Sequence, residues 1–590
     1  SDDKGNVIPS EPDAFSIIQG LKVPDSTLPY NICIEVLDSM TGRQQLKNIN
    51  GIGKNQSLPA KGKGTYQTQE DIRPGNKSDQ LRIPMYEDNE QGSRAIYNDL
   101  RGEVIITGDM LPGLLPKGSE VELNIEIDEL DFLKNTNSTY KLGIWHKDWH
   151  TIGESFISPL GDEFLNDSGH PTSDYDYYRI YHVAKNNMKY NQTQARFIEN
   201  NKLQFLNISE DDYYKPVFKN QSGKVDFSFH HVAYHVDTFK VGKYIKDKVI
   251  NHDRVKYFDD IVTSVEKDEH GYVKKLLLKS GQIVEGDLFV DCTGFFRLLI
   301  DDENKFIDYS NNLLTNRAIS FITKDTDIKN CTTATARKYG WEWTIPLQHR
   351  NGRGYVFNDN MISVDKAVEE LCKIYGEIEV QKDISFKPGR ITKAWDKNVI
   401  STGLSTGFVE PLEATTIHMT LLQINLFLEQ YYTEHLDFKN GSQHKNYNRA
   451  IGDTWDDIRD FINLHYTNTR QDTEFWKESS KEERRSNRLN DLLETWKSRM
   501  PRLADYSSSN YLNFYKLGNT LWYQVLLGMK ILDPKVAENE LKSFGLYDVA
   551  EKHLLDRTKF NEHVLQLGYD TNQFYKEEIN SLYDYKKVTF

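Results

Sequence analysis

Two carboxylates three residues apart, Glu410 and Glu413, stand between a glycine-punctuated turn and an apolar run in the stretch Gly403 to Glu429, GLSTGFVEPLEATTIHMTLLQINLFLE. A carboxylate held away from water can keep or accept a proton near neutral pH, so such a pair suits acid–base chemistry. Thr415 and Thr416 follow at the first turn of the predicted helix, where unpaired backbone N–H groups and the helix dipole favour an anion. A buried acid beside an anion cradle is a chemical arrangement. The same residues also describe a capped core helix with two surface glutamates, which is the commoner outcome.

The elements that must position these groups can be read around them. Ile417, Leu421, Ile424 and Leu428 recur at helical spacing, which predicts a helix packed by that face. Upstream, DLFVDCTGFFRLLI (Asp287 to Ile300) is a strand ending in Asp-Cys-Thr-Gly. A glycine at the carboxyl end of such a strand lets the backbone approach a ligand. HVAYHVDTFK (His231 to Lys240) opens a helical segment, and the strands YFDDIVTSV, KKLLLK and QIVEGDLFVDCTG follow as a β-meander. TYKLGIW reads as one strand with Tyr140, Leu142 and Ile144 on one face and Lys141 on the other, where a lysine is ordinarily solvated. From Tyr30 to about Asp128 the pattern changes to short alternating runs, among them ICIEV, TYQTQ, LRIPMYE, EVIITG and VELNIEID. Separated by Gly, Pro, Asn and Asp, these predict an antiparallel β-sandwich. Residues 1–29 carry little periodicity and read as extended. After Asp437 the chain is mostly helical.

Composition narrows the class. The chain has 590 residues, enough for two to four domains. Charged residues make up 27% and the mean hydropathy is −0.65, so it reads as soluble. No apolar run approaches a bilayer span and no segment reads as a signal peptide, so the expectation is a cytoplasmic protein without a membrane partner. A net charge of −15 argues against nucleic acid, whose phosphates need a clustered basic face. The four cysteines, Cys33, Cys292, Cys331 and Cys372, form no metal-binding pattern and suit a reducing compartment. The chain opens without methionine, as a trimmed N-terminus would.

DLFVDCTGFFRLLI, GWEWTIP (Gly340 to Pro346), GYVFND (Gly354 to Asp359) and the Gly403 to Glu429 stretch, in this order, closely resemble the flavin-dependent halogenases of the tryptophan-halogenase family. The resemblance runs from about Glu129 to the C-terminus and takes in HYTNTRQDTEFW (His465 to Trp476) and GNTLWYQVLLGMKIL (Gly518 to Leu532). It implies an α/β flavin-monooxygenase-like domain over 129–436 and a helical substrate-capping region over 437–590. In that family reduced FAD, supplied by a separate flavin reductase, and oxygen convert halide to hypohalous acid, which a lysine directs onto an electron-rich aromatic such as indole or tryptophan. Carried over, the catalytic pair is Lys141 and Glu413, the halide rests on Thr415 and Thr416, and the signature tryptophans are Trp341 and Trp343. Position 416 is usually glycine in the family. The flavin contacts are Ile261, Val262, Asp291, Gly294, Leu404 and Ile417, several of which fit simple core packing equally well.

The order SLPAKGKGTYQTQED, RIPMYED and GSRAIYNDLRGEVIITGDMLPGLLPKGSEVELNIEID resembles instead the peptide-binding β-domain of the seventy-kilodalton heat-shock chaperones, over about residues 30–128. Tyr66, Leu81 and Ile83 match its peptide-gripping positions, which ordinary core residues would also occupy. No G-x-G-x-x-G follows an opening strand; GIGKNQ (Gly51 to Gln56) lacks the third glycine. The chain is therefore read as a multidomain fusion, natural or engineered: an all-β sandwich followed by a halogenase-like α/β domain and a helical part. The leading expectation is an FAD-dependent halogenase. The rival is a peptide-binding module on a halogenase scaffold that is inactive for want of a complete FAD site. Monomer and homo-oligomer are both open.

Overall fold

The computed structural model describes the strands lying within residues 31–126 by their backbone, and then residues 129–160, 177–185, 193–203, 232–250, 255–300, 305–325, 327–432, 441–502 and 514–578, with 438 and 505. Contacts divide the chain into two compact units, Ser1–Lys141 with Asn201–Lys256 and Gln566–Phe590, and Leu142–Asn200 with Tyr257–Leu565. Both are discontinuous in sequence, unlike the linear divisions 1–29, 30–128, 129–436 and 437–590. No helix among the described residues is long and apolar enough to cross a membrane.

In the first unit the alternating runs form strands that, among the described residues, pair antiparallel. Four make a sheet in the order Gln44–Asn48, Asn31–Leu37, Gln80–Asp88, Asp99–Thr107, and Lys61–Gln67 pairs separately with Glu120–Glu126. Tyr66 faces Val121 across its ladder, Leu81 faces Ile106 and Ile83 faces Val104. Their side chains, the 1–29 segment and the GIGKNQ loop lie outside the described residues. The register slips between Met85 and Tyr86, just after Pro84, whose ring cannot donate to a ladder. His231 to Lys240 departs from the helical reading: Ala233–His235 is a strand paired with Thr139–Lys141, and the helix Thr238–Val249 begins only after Asp237. The Asp237 carboxylate accepts from the backbone N–H of Phe239 and Lys240, which fixes that start.

The second unit is built on a seven-stranded sheet in the order Lys382–Ser385, Arg317–Thr323, Asn351–Phe357, Gly340–Pro346, Thr332–Arg337, Gly143–Lys147, Ser155–Pro159. Only the Thr332–Arg337 and Gly143–Lys147 neighbours are parallel. The helix Val364–Tyr375 covers one part of it, burying Ala367 and Leu371 against Ile319, Phe321, Tyr355 and Phe357. On Gly340–Pro346 the two tryptophans lie two residues apart and so share a face. A Cβ on Gly354 of the neighbouring strand would sit 2.0 Å from the Trp343 ring, so only glycine lets that indole lie against the backbone. A smaller sheet pairs Phe289–Asp291 in parallel with Val399–Ser401, and Val399–Ser401 with Trp395–Asp396. The meander Val262–Lys267, Val273–Leu278, Ile283–Glu285 packs on it through Val273, beside Phe289 and Leu299.

Candidate active site

Glu413 occupies a backbone conformation that side chains avoid. Its φ is 65° and that of Ala414 is 53°, two consecutive left-handed residues without a glycine. Each costs on the order of 1–3 kcal/mol and persists only where the surroundings impose it. The turn swings the Glu413 carboxylate inward, where its side chain is 5% exposed. Two histidines meet it there. Nε2 of His465 and Nε2 of His146 each lie 3.1 Å from the same oxygen, Oε1, and both rings are fully buried. Burial alone would raise the carboxylate's pKa, but the two histidines outweigh it and hold Glu413 well below the usual carboxylate range.

Glu410 has the opposite character. It is fully buried and accepts hydrogen bonds from the hydroxyls of Thr315 and Tyr466. Here burial prevails over those bonds and lifts the pKa to about 7. The pair of carboxylates is thus split, one ionised and one able to carry a proton at neutral pH.

The helix Thr415–Gln430 starts directly after this turn with no side-chain cap. Thr415 is buried and its hydroxyl makes no hydrogen bond among the described residues, and no side chain caps the backbone N–H groups of the first turn. Thr416 is half-buried. The packing of this helix differs from expectation: Ile417, Ile424 and Leu428 are exposed, while Thr415, Met419, Gln423, Leu426 and Phe427 are buried. Gln423 can be inside because its amide donates to Ser401 O and Thr406 Oγ1. Apolar periodicity cannot anticipate a buried amide whose N–H groups find acceptors.

Above the helix, Gly403–Ser405 and Gly294–Phe296 form two short turns tied together by Ser405 Oγ to Gly294 O, 3.1 Å, and Arg297 Nε to Ser405 O, 3.0 Å. Gly294 has a φ of 70° and open space where a side chain would be. Leu404 is half-buried and Ile417 is 57% exposed, so these three are open to solvent. Asp291 does not. Its carboxylate is buried and accepts from Thr293 N and Oγ1, Leu299 N, Ile300 N and Ser405 Oγ, so it organises the turns instead of facing a cofactor. Ile261, exposed, and Val262, half-buried, lie at the first strand of the meander.

Trp341 is buried with its ring centroid 6.2 Å from both Trp149 and Trp343. Trp149 also packs on His146, His465, Tyr466 and Trp476, so an aromatic cluster surrounds the two carboxylates. Lys141 belongs to the other compact unit. It is not the solvated lysine of a continuous strand: Thr139–Lys141 and Gly143–Lys147 are separate strands, and Lys141 is 6% exposed, paired in register with Ala233. A concavity of about 650 Å³ lined by Lys147, Lys324, Asp325, Lys329, Arg353 and Tyr375 contains none of the candidate residues.

His146 and His465 escaped the sequence reading, although a signal existed for the first. Ile144 and His146 alternate onto one strand face, so a histidine occupies a core position. His465 sits within a quoted segment but has no local mark. Thr315 and Tyr466 are likewise placed only by the fold.

The tryptophan halogenase family model matches residues 107–543. The chain belongs to the tryptophan halogenase family. Its enzyme class is therefore that of the flavin-dependent halogenases. It is 30% identical over 391 residues to tryptophan 6-halogenase ThaL of Streptomyces albogriseolus, covering 64% of this chain and 71% of that protein. It is 28% identical over 467 residues to tryptophan 7-halogenase RebH of Lentzea aerocolonigenes, covering 73% and 85%. BrvH, a flavin-dependent halogenase from Brevundimonas sp. BAL3, superimposes with a TM-score of 0.63 at 25% identity over 76% of this chain and 88% of that one. The family match begins upstream of Glu129, at residue 107, inside the stretch 30–128 expected to form a chaperone-like domain.

Proposed function

We propose that this halogenase-family chain oxidises halide and halogenates an electron-rich arene of the indole or tryptophan class. The observation that carries the proposal is the turn at Glu413 and Ala414, which buries an ionised carboxylate immediately before an uncapped helix start. The relatives' names, tryptophan 6- and 7-halogenase, support the substrate class.

Each residue then has a task. An ionised Glu413 accepts the proton that the ring loses on substitution, and its buried setting keeps water from competing. Thr415 and Thr416 hold the halide by backbone N–H groups and the helix dipole. Lys141 directs the halogenating agent as a buried cation. Trp341 and Trp343 fill space beside the site and exclude ordinary oxygenation. When bound, reduced FAD supplies with oxygen the oxidising equivalents that turn halide into hypohalous acid. Gly294, Leu404 and Ile417 fit the ring end of such a cofactor, whereas the sequence offers no glycine-rich turn for its pyrophosphate. The halogenase resemblance supports a flavin reductase partner, and the cysteine usage supports a cytoplasmic setting.

The test is turnover of tryptophan and free indole with chloride or bromide, FAD and a flavin reductase, read by mass spectrometry. Glu413→Gln removes the base at constant size and is expected to lower halogenation at least a hundredfold with the melting temperature nearly unchanged. Lys141→Ala is expected to abolish halogenation while reduced-flavin oxidation continues. Wild-type-like halogenation by either variant would overturn the assignment.

A further inference from the structure

We infer that His146, Glu413 and His465 form a binding site for a divalent metal ion of the zinc class. The three side chains come from a strand, a strained turn and the end of a long helix, and their ligand atoms all lie within 4.8 Å of one another. His465 Nδ1 is 3.0 Å from the carbonyl oxygen of Phe461. A carbonyl only accepts, so Nδ1 carries a hydrogen and Nε2 is the ring atom turned toward Glu413. Nε2 and Oε1 are 3.1 Å apart, close enough for one metal ion to bind both. His146 Nε2 reaches the same oxygen at the same distance.

A metal ion suits this geometry. Tetrahedral zinc at about 2.0–2.1 Å from its ligands separates neighbouring donor atoms by about 3.3 Å. With two sides of 3.1 Å and a third of at most 4.8 Å, a point about 2.5 Å or less from all three atoms exists, and shifts of a few tenths of an ångström reach bonding distance. A histidine ligand that donates its other N–H to a backbone carbonyl is the usual support for such a site, here supplied by Phe461. Two imidazoles and one carboxylate leave a fourth position open and favour zinc or cobalt over magnesium or calcium. An ion here occupies Oε1, so it blocks the base assigned to Glu413. That consequence, unlike the binding itself, rests on the proposed function.

The full chain, freed of metal by chelator and dialysis, is titrated with cobalt(II) alone and read by its visible d–d absorption; zinc then displaces the cobalt. One saturable site is expected, without thiolate charge-transfer bands, weakened at least tenfold in both H465Q and E413Q. Zinc is also expected to raise the melting temperature of the wild-type chain, a reading that needs no variant. Absence of saturable cobalt binding with no zinc-induced shift overturns the proposal, as does equal binding by folded H465Q and E413Q. Halogenation is measured separately on the metal-free chain. Activity without metal binding refutes the metal site alone, and metal binding without activity refutes only the catalytic reading.

Discussion

Glu410→Gln should change the pH dependence of stability in a direction that the buried site dictates. Glu410 is fully buried with a folded pKa of about 7, against an ordinary value of 4.5. The folded chain therefore holds this proton through a range in which the unfolded chain has released it. Its stabilising contribution is fully present below pH 4.5 and is lost as the pH rises to about 7, beyond which the loss is constant. At 1.36 kcal/mol per pKa unit the loss amounts to about 3 kcal/mol. Spread over a unit the size of Leu142–Asn200 with Tyr257–Leu565, at roughly 2.1 cal/mol/K of unfolding entropy per residue, this corresponds to about 4 °C in melting temperature. The glutamine side chain cannot ionise and keeps an oxygen for the Thr315 and Tyr466 hydroxyls. Thermal melts of wild type and variant at pH 5 and pH 7.5 should therefore show the wild type losing about 3 °C more than the variant between the two conditions, since part of the loss has already occurred by pH 5. Other groups titrate in this window, but they are common to both proteins and cancel in the difference. Parallel profiles would show that Glu410 is ionised without penalty, and the acid–base division between the two carboxylates would fall with them.

Affinity for FAD should be poor. A sequence without G-x-G-x-x-G forfeits several charge-assisted hydrogen bonds to the pyrophosphate of about 1.5–3 kcal/mol each, or several orders of magnitude at about 1.4 kcal/mol per tenfold. Fluorescence titration is expected to give a Kd in the high micromolar range or weaker, and sub-micromolar binding would refute this. Gly354→Ala places a Cβ 2.0 Å from the Trp343 ring, and overpacking of that kind should cost about 1–3 kcal/mol, read as a lower denaturant midpoint at unchanged slope. An unchanged midpoint would show that the Trp343 ring is free to move away.

What could be read from residues alone was local or carried by motifs: the antiparallel strands between 31 and 126, the meander after Ile261, the turn and helix start around Glu413, and the spacing of Trp341 and Trp343. Local patterns survive because strand alternation, caps and turns depend on residues a few positions apart. The burial of Lys141 is a tertiary matter, since period-two reasoning through TYKLGIW assumes one strand where the chain makes two. The exposed face of the Thr415–Gln430 helix is another, because Gln423 goes inside once Ser401 and Thr406 receive its amide. Most of all, the state of the two carboxylates was not written in their spacing. Glu410 and Glu413 differ in proton affinity because burial outweighs the Thr315 and Tyr466 hydrogen bonds at the first, while His146 and His465 outweigh burial at the second. Those partners come from distant parts of the chain, and a pKa depends on what stands within a few ångströms in space.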